Sequence, residues 1–588
     1  MLNNIIRYSI THKLVIGLLT LALIITGIYS LKQLPVDAVP DITNNQVQVI
    51  TNSPTLAAQE VERLITFPIE ITMATIPKID EIRSFSRFGL SVVTIVFEED
   101  VDVYWARQQV NERLADAQSQ IPEGIGKPGI APLTTGLGEI YQYVVTTKPG
   151  YEDKYNAIQL RTIQDWVIKR QLLGTKGVAD VSSFGGYLKQ YEIAISPERL
   201  NAMQVTFSEI FDALENNNQN TGGAYIEKND KALFIRSEGL VGTVNDIENI
   251  LVKQTENGNP ILIKDVAKVQ TGSAIRYGAT TRNGEGEVVS AIVMMLKGAN
   301  SAQVITDVKD KIETISRTLP EGVVIEPFLD RTKLVDNAIG TVTTNLVEGA
   351  LIVIFILLLL LGNWRAGLIT ASVIPLALLF AFSMMHLFGV SANLMSLGAI
   401  DFGLIVDGAV IIVEATLFHL GTLRLKRKLT QKEMDEEVYQ SASKIRNSAA
   451  FGEIIILIVY LPILALVGTE GKMFGPMAQT VSFAILGAFI LSLTYVPMMS
   501  ALMLSKNVEH KKNISDNIMD FLYRIYQPIL KKAIHNRIVV VVITLMLFGI
   551  AFMVFRNLGG EFIPTLEEGD FAVETRVMTG SSLNNTIK

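Results

Sequence analysis

The chain has 588 residues, 49% hydrophobic and 19% charged, with a formal net charge of −7. A mean hydropathy of +0.34 is high for a soluble protein and low for one lying wholly in a membrane, so apolar spans and a sizeable polar part must coexist. The acidic balance argues against nucleic acid as a partner. The absence of cysteine excludes disulfides and thiolate metal sites, and the five histidines (12, 386, 419, 510 and 535) all fall in or beside apolar segments, excluding a histidine-rich zinc site in the polar part.

The chain opens on a short basic stretch with Arg7 and Lys13, followed by an apolar run over 14–31. No small-residue cleavage site follows, and LKQLPVDAVPDI is stiffened by Pro35 and Pro40, so 1–31 reads as an uncleaved first membrane helix. Residues 32–335 hold no further spanning run. QVQVIT, the amphipathic LAAQEVERLITFPIEITMA, IRSFSRF, SVVTIVFE, the helical VDVYWARQQVNERLADAQSQ and EIYQYVVTT form a βαββαβ series, the ferredoxin-like plan. A second such unit is predicted from about Asn156, with strands VADVSSF, QYEIAI, ALFIRSE and PILIKDVAKV. The fold class is therefore an α+β membrane protein, a transmembrane helix bundle carrying ferredoxin-like subdomains.

Within 336–504, apolar runs at 346–361, 368–387, 397–420, 449–467 and 477–504 predict spans two to six, each near the ~20 residues a bilayer requires. The loop between the fourth and fifth carries Arg424, Lys426, Arg427, Lys428, Lys432, Lys444 and Arg446, whereas FGVSAN and GTEGKMFGP carry only Lys472. Basic loops stay in the cytoplasm, which puts 32–335 outside the inner membrane. Residues 505–537 read as a cytoplasmic amphipathic segment, with a helix over 513–535 lying on the membrane surface, and 538–555 as a seventh span. At a constant offset of 524, NLGGEFIP falls on QLPVDAVP, pairing Leu34 with Leu558, Asp37 with Glu561 and Pro40 with Pro564, while Lys13 falls on Arg537. Such repeats mark transporters built from two equivalent halves, and 556–588 reads as the start of a second, truncated outer domain.

The fourth span reads AIDFGLIVDGAVIIVE over 399–414, with three carboxylates in an apolar run. Each costs roughly 3 kcal/mol at the centre of a membrane helix by insertion scales. Asp407 and Glu414, seven residues apart, lie within about 20° of one helix face and roughly 10 Å apart along the axis. Asp401 widens the stripe, and Gly403 and Gly408 let a neighbouring helix approach. Asp401, Asp407 and Glu414 are thus candidate proton carriers, the alternatives being polar glue between helices or a headgroup position for a terminal acid.

One helix, a large polar domain of βαββαβ units, five more helices and then a repeat resemble the resistance-nodulation-division transporters. LPVDAVPDITNNQVQV and DFGLIVDGAVIIVE resemble the heavy-metal efflux branch, close to the CzcA-like cobalt-zinc-cadmium pumps. The resemblance implies a secondary active transporter, not an enzyme: a homotrimer of the inner membrane that passes metal ions to a periplasmic adaptor and an outer-membrane channel, driven by inward proton flow and without a bound cofactor. It places Asp401, Asp407 and Glu414 on the family's proton-relay acids. It also implies that this chain is the N-terminal portion of a longer pump and cannot pump alone. Where copper and silver members carry methionines, this chain has Ile405 and Glu574, with Met578 nearby. Carboxylates suit divalent ions, so zinc, cobalt or cadmium is the expected cargo and Glu139, Asp180 and Glu574 are the candidate metal ligands. Copper(I) or silver efflux, and multidrug or lipid export on the same scaffold, are the alternatives.

Overall fold

The computed structural model describes residues 2–37, 39–255, 258–422, 428–506, 514–559 and 571–588. They fall into two compact units, one of residues 1–138, 296–303 and 331–573, the other of 139–295, 304–330 and 574–588.

In the first unit, six stretches are long and apolar enough to cross a membrane: Lys13–Gln33, Thr332–Leu361, Trp364–Phe388, Leu394–Thr422, Gly468–Leu493 and Arg537–Asn557. A seventh is made by Gln431–Ile445 and Ala449–Leu464 if that pair, bent by 48°, is one span. The seven apolar runs read from the sequence all fall on helices, in order, six of them long and apolar enough on their own to cross a membrane. Much of the predicted basic loop is helical, because Thr430 and Glu433 form a reciprocal cap that starts the fifth helix at Gln431. Arg424, Lys426 and Arg427 of that loop lie outside the described residues, as do Glu561 and Pro564 of the repeat.

The third and sixth spans form the centre of this bundle, more than half of their most apolar stretch buried, while among the described residues nothing covers the seventh. Small residues set the helix distances: a Cβ on Gly27 would sit 2.6 Å from the Leu379 Cβ, and one on Gly487 2.7 Å from the Phe380 ring. At one end of the bundle the short helix Leu2–Thr11 lies against the fifth helix. There Lys13 pairs with Asp435 at 2.6 Å and the Arg7 guanidinium stands 5.4 Å over the Tyr439 ring. The amphipathic segment predicted at 505–537 forms the helix Ile514–His535, on which Met519, Leu522 and Ile529 are exposed.

The first unit also holds a four-stranded antiparallel sheet of β1 (Gln46–Asn52), β2 (Ile79–Arg87), β3 (Leu90–Phe97) and β4 (Gly129–Ile130), in the order β2-β3-β1-β4. Strict alternation buries Val47, Val49 and Thr51 of β1. Val47 and Val49 pack with Val93 and Ile95 of β3, Ile65 and Ile69 of the helical stretch 58–73, and Ala106 and Val110 of Val103–Gln120. Residues 62–66 of that stretch form a π turn, from which Thr66 reaches Ser86 and Ser91 at 2.7 and 2.8 Å.

EIYQYVVTT was expected to close this series, but it belongs to the second unit as β5 (Glu139–Thr147). The position it was given is taken by β4, only two residues long and flanked by prolines. After β5 come a helical stretch with a π turn at Gln164–Ile168 and then β6 (Val178–Phe184). Residues 189–273 follow as an insertion holding β7 (Lys189–Ile195), β8 (Thr221–Lys228), β9 (Lys231–Ser237), β10 (Leu251–Gln254), β11 (Pro260–Leu262) and β12 (Ala267–Ser273). The chain then returns through β13 (Thr280–Thr281), β14 (Glu287–Met295), the helix Ser301–Ser316 and β15 (Val323–Asp330). The strands are antiparallel: β14 lies between β5 and β6, β5 also pairs with β15, and β13 pairs with the start of β14. Leaving out the insertion and β13, the element order β5-helix-β6-β14-helix-β15 repeats that of the first sheet. So does the strand order, with β6, β14, β5 and β15 in the places of β2, β3, β1 and β4.

Candidate functional site

The fourth span is not one continuous helix. Leu394–Gly398 is a short helix whose N-terminus is closed by Asn393, the Asn393 Oδ1 accepting from the Ser396 N–H at 2.8 Å and the Ser396 Oγ from the Asn393 N–H at 2.9 Å. The backbone then leaves the helix and restarts at Phe402, running to Thr422. Asp401 stands at the restart, its Oδ1 accepting from the Gly403 N–H at 2.8 Å. The expectation of an unbroken helix through 397–420 is thereby corrected. A short carboxylate side chain competes for free N–H groups at a helix start, which is where aspartate is favoured.

Asp407 and Glu414 follow on the restarted helix and both are exposed, while Val406, Gly408, Ile412 and Val413 are buried against the rest of the bundle. The acid stripe read from the seven-residue spacing is thus one face, left uncovered by the described residues. Among the described residues a Cβ on Gly403 would meet only the Asp401 carboxylate within 4 Å. At Gly408 the expected close approach does occur, but the approaching group is a side chain. A Cβ there would lie 1.7 Å from Oε1 of Glu453, on the fifth helix.

Glu453 is absent from the sequence-based candidates. It is 3% exposed, and neither carboxyl oxygen has a hydrogen-bond partner among the described residues. Ser492, on the sixth span, stands near it, but its hydroxyl donates to the Phe489 carbonyl at 2.8 Å. The signal was in the sequence: AAFGEIIILIVYL places one ionisable group in an apolar run, the same pattern that marks 399–414.

Asp37, from the LPVDAVPDI motif, is tied to the loop before the fourth span. Its N–H donates to the Ala392 carbonyl, the Ala392 N–H donates to Pro35, both at 3.0 Å, and Val36 and Ala392 form a parallel bridge. The Ser301 hydroxyl donates to Asp37 Oδ1 at 2.5 Å. Burial pushes the Asp37 carboxyl above its ordinary pKa, against the lowering effects of the Ser301 hydroxyl and the Arg331 charge.

Of the three candidate metal ligands, two lie at the same level of the second sheet, on the strands either side of β14. The strand register pairs Met294 of β14 with Glu139 on one side and Asp180 on the other. Glu139 accepts from Gln142 at 3.1 Å, and Asp180 is held by Lys169 at 3.6 Å and by the Ser182 hydroxyl at 3.2 Å. Glu574 is exposed and pairs with Arg576 at 3.7 Å. Among the described residues no three carboxylate or imidazole groups converge on one point.

The structure thus combines long apolar helices that carry carboxylates with two sheets of matching strand order. Residues 5–588 match the AcrB/AcrD/AcrF family, and the chain belongs to it. Within that family it is 45% identical to the cation efflux system protein CzcA of Alcaligenes sp. (strain CT14) and to the cobalt-zinc-cadmium resistance protein CzcA of Cupriavidus metallidurans, over 100% of this chain and 55% of each relative. It is 34% identical to the cation efflux system protein CusA of Escherichia coli (strain K12), over 99% of this chain and 56% of that one. Two crystal forms of a heavy metal efflux pump superpose with TM-scores of 0.73 and 0.79 at 34% and 32% identity, covering 84% and 96% of this chain and 48% and 52% of those chains. The chain thus spans about half the length of the relatives it matches. The resemblance read from LPVDAVPDITNNQVQV and DFGLIVDGAVIIVE is borne out.

Proposed function

We propose that the full-length protein exports divalent heavy-metal cations of the zinc, cobalt and cadmium type, driven by protons, as the inner-membrane component of a tripartite pump. The observation that carries this reading is the uncovered acid face of Phe402–Thr422 in a chain whose relatives bear cation-efflux names. A proton moving down 100 mV releases about 2.3 kcal/mol, and a pump captures it by moving a carboxylate between wet and dry surroundings. Asp407 is the central carrier, Glu414 assists further along the same face, and Asp401 assists at the helix restart, where the free backbone groups favour hydration. The assembly is a homotrimer working with a periplasmic adaptor and an outer-membrane channel, its 32–335 segment in the periplasm. The strand order shared by the two sheets supports ferredoxin-like subdomains there.

The cargo is handled as substrate, with Glu139 and Asp180 beside Met294 as part of its path and Glu574 a further contact. Carboxylate oxygens favour divalent ions over copper(I) or silver, and the buried Ile405 supplies no sulfur near Asp407. To engage metal, Asp180 must exchange Lys169 for the cation. In the full-length pump Asp407→Asn should abolish metal resistance with expression intact, and vesicles should move zinc in preference to silver. Wild-type resistance in that variant, or silver movement without zinc, cobalt or cadmium, would overturn the reading.

A further inference from the structure

Among the described residues Glu453 is the only aspartate or glutamate that the chain buries. A carboxyl group in a membrane helix is tolerated as structural glue when good hydrogen bonds satisfy its oxygens, and those of Glu453 are not so satisfied: neither has a partner of normal hydrogen-bond geometry among the described residues, and Ser492, the polar side chain beside it, directs its hydroxyl to the Phe489 carbonyl at 2.8 Å. The bundle nevertheless makes room for it. Its carboxyl tip occupies the space that any side chain at position 408 would fill, and Gly408 immediately follows Asp407. On the fourth span the titratable group next to the notch is Asp407, and on the sixth the side chain beside Glu453 is Ser492, which carries no charge.

Resting on the proton-driven reading above, we propose that Glu453 is a further proton carrier, exchanging a proton with Asp407 across the Gly408 notch. The Glu453 carboxyl gives its proton to the Asp407 carboxylate and becomes the carboxylate itself; the reverse step restores it. One proton and one negative charge change places, so no other reactant is needed. The pair joins the exposed acid face to the buried interior of the bundle. Gly408 is the structural condition, since a methyl group there would displace the carboxyl tip.

The test uses the full-length pump in proteoliposomes, following zinc-driven proton flux against pH for wild type, Asp407→Asn, Glu453→Gln, Glu453→Asp, Gly408→Ala and the double variant Gly408→Ala/Glu453→Asp. Glu453→Gln keeps shape and polarity but cannot exchange a proton, so it should lose coupled flux as Asp407→Asn does, with zinc binding unchanged. Glu453→Asp should keep flux with a displaced pH profile. Gly408→Ala should lose flux, and the double variant, with its shorter acid, should recover part of it. Wild-type flux and pH profile in Glu453→Gln, with Asp407→Asn inactive, would overturn this inference and leave the proton-driven reading standing. Wild-type flux in Asp407→Asn would overturn both. Should Glu453→Gln fail to assemble, the profile of Glu453→Asp decides, and an undisplaced profile overturns the inference.

Discussion

Replacing Lys472 by methionine should loosen the first sheet from the bundle by a calculable amount. The Lys472 ammonium, 20% exposed near the start of the sixth span, reaches Glu99 at 2.8 Å, just after β3, and the Thr43 carbonyl at 2.8 Å, just before β1. Glu99 is 47% exposed, so the ion pair is worth about 1 kcal/mol or less. The charge-assisted bond to the carbonyl adds roughly 1.5–3 kcal/mol. Methionine retains most of the apolar stem and removes both, a loss of about 2 kcal/mol. Hydrogen exchange of the amides at 43–49 and 97–101 should then accelerate about thirtyfold, since 1.4 kcal/mol is a factor of ten. Glu99→Gln, which removes only the exposed pair, should accelerate it by less than about fivefold. Unchanged exchange in Lys472→Met, or an equal effect in Glu99→Gln, would refute the reasoning.

Three further outcomes follow from single contacts. Because burial raises Asp37 above its ordinary value of 3.8, the folded chain binds the extra proton between that value and the raised one; this contribution is complete below the unfolded pKa and is lost as pH rises through the folded one. Asp37→Asn should therefore flatten the fall of Tm with rising pH in that window, which a calorimetric pH series checks. The Tyr143 hydroxyl donates to Gln164 at 3.0 Å with both residues fully buried, so Tyr143→Phe should cost about 1–3 kcal/mol and raise exchange in β5 and β6. Gly27→Leu should overpack the contact with Leu379, lowering Tm by an amount equivalent to about 1–3 kcal/mol.

The spans were legible because a bilayer imposes a length and a composition that any sequence window registers. The bend in the fifth was not, since a periodic apolar run reads the same whether straight or angled by 48°. The βαββαβ order was legible from the change between two-residue and helical periodicity. Its closing strand, Gly129–Ile130, is too short to show a period, so the longer EIYQYVVTT was assigned to the wrong sheet. In the second unit the insertion at 189–273 hid the pairing of β6 with β14, because sequence reading favours neighbours along the chain. At the candidate site the shared face of Asp407 and Glu414 follows from helix geometry alone. Asp401 and Glu453 are both visible as acids in apolar runs, but their surroundings required coordinates: one because a helix restart depends on backbone bonding, the other because only packing shows which side chain meets Gly408.

The insertion enters and leaves the second unit through a single doorway. Strands β7 and β12 are paired from Lys189 with Ser273 to Ile195 with Ala267, and the Ala274 N–H donates to the Leu188 carbonyl at 3.0 Å. Leu200, Ile210, Ile247, Ile263 and Val269 give the inserted part its own core. The stretch between the two strands is thus a cassette, joined to its host at two adjacent points that a tight turn could bridge. A chain with this layout can exchange that cassette, by recombination or at the bench, without rethreading the sheet that carries Glu139, Asp180 and Met294.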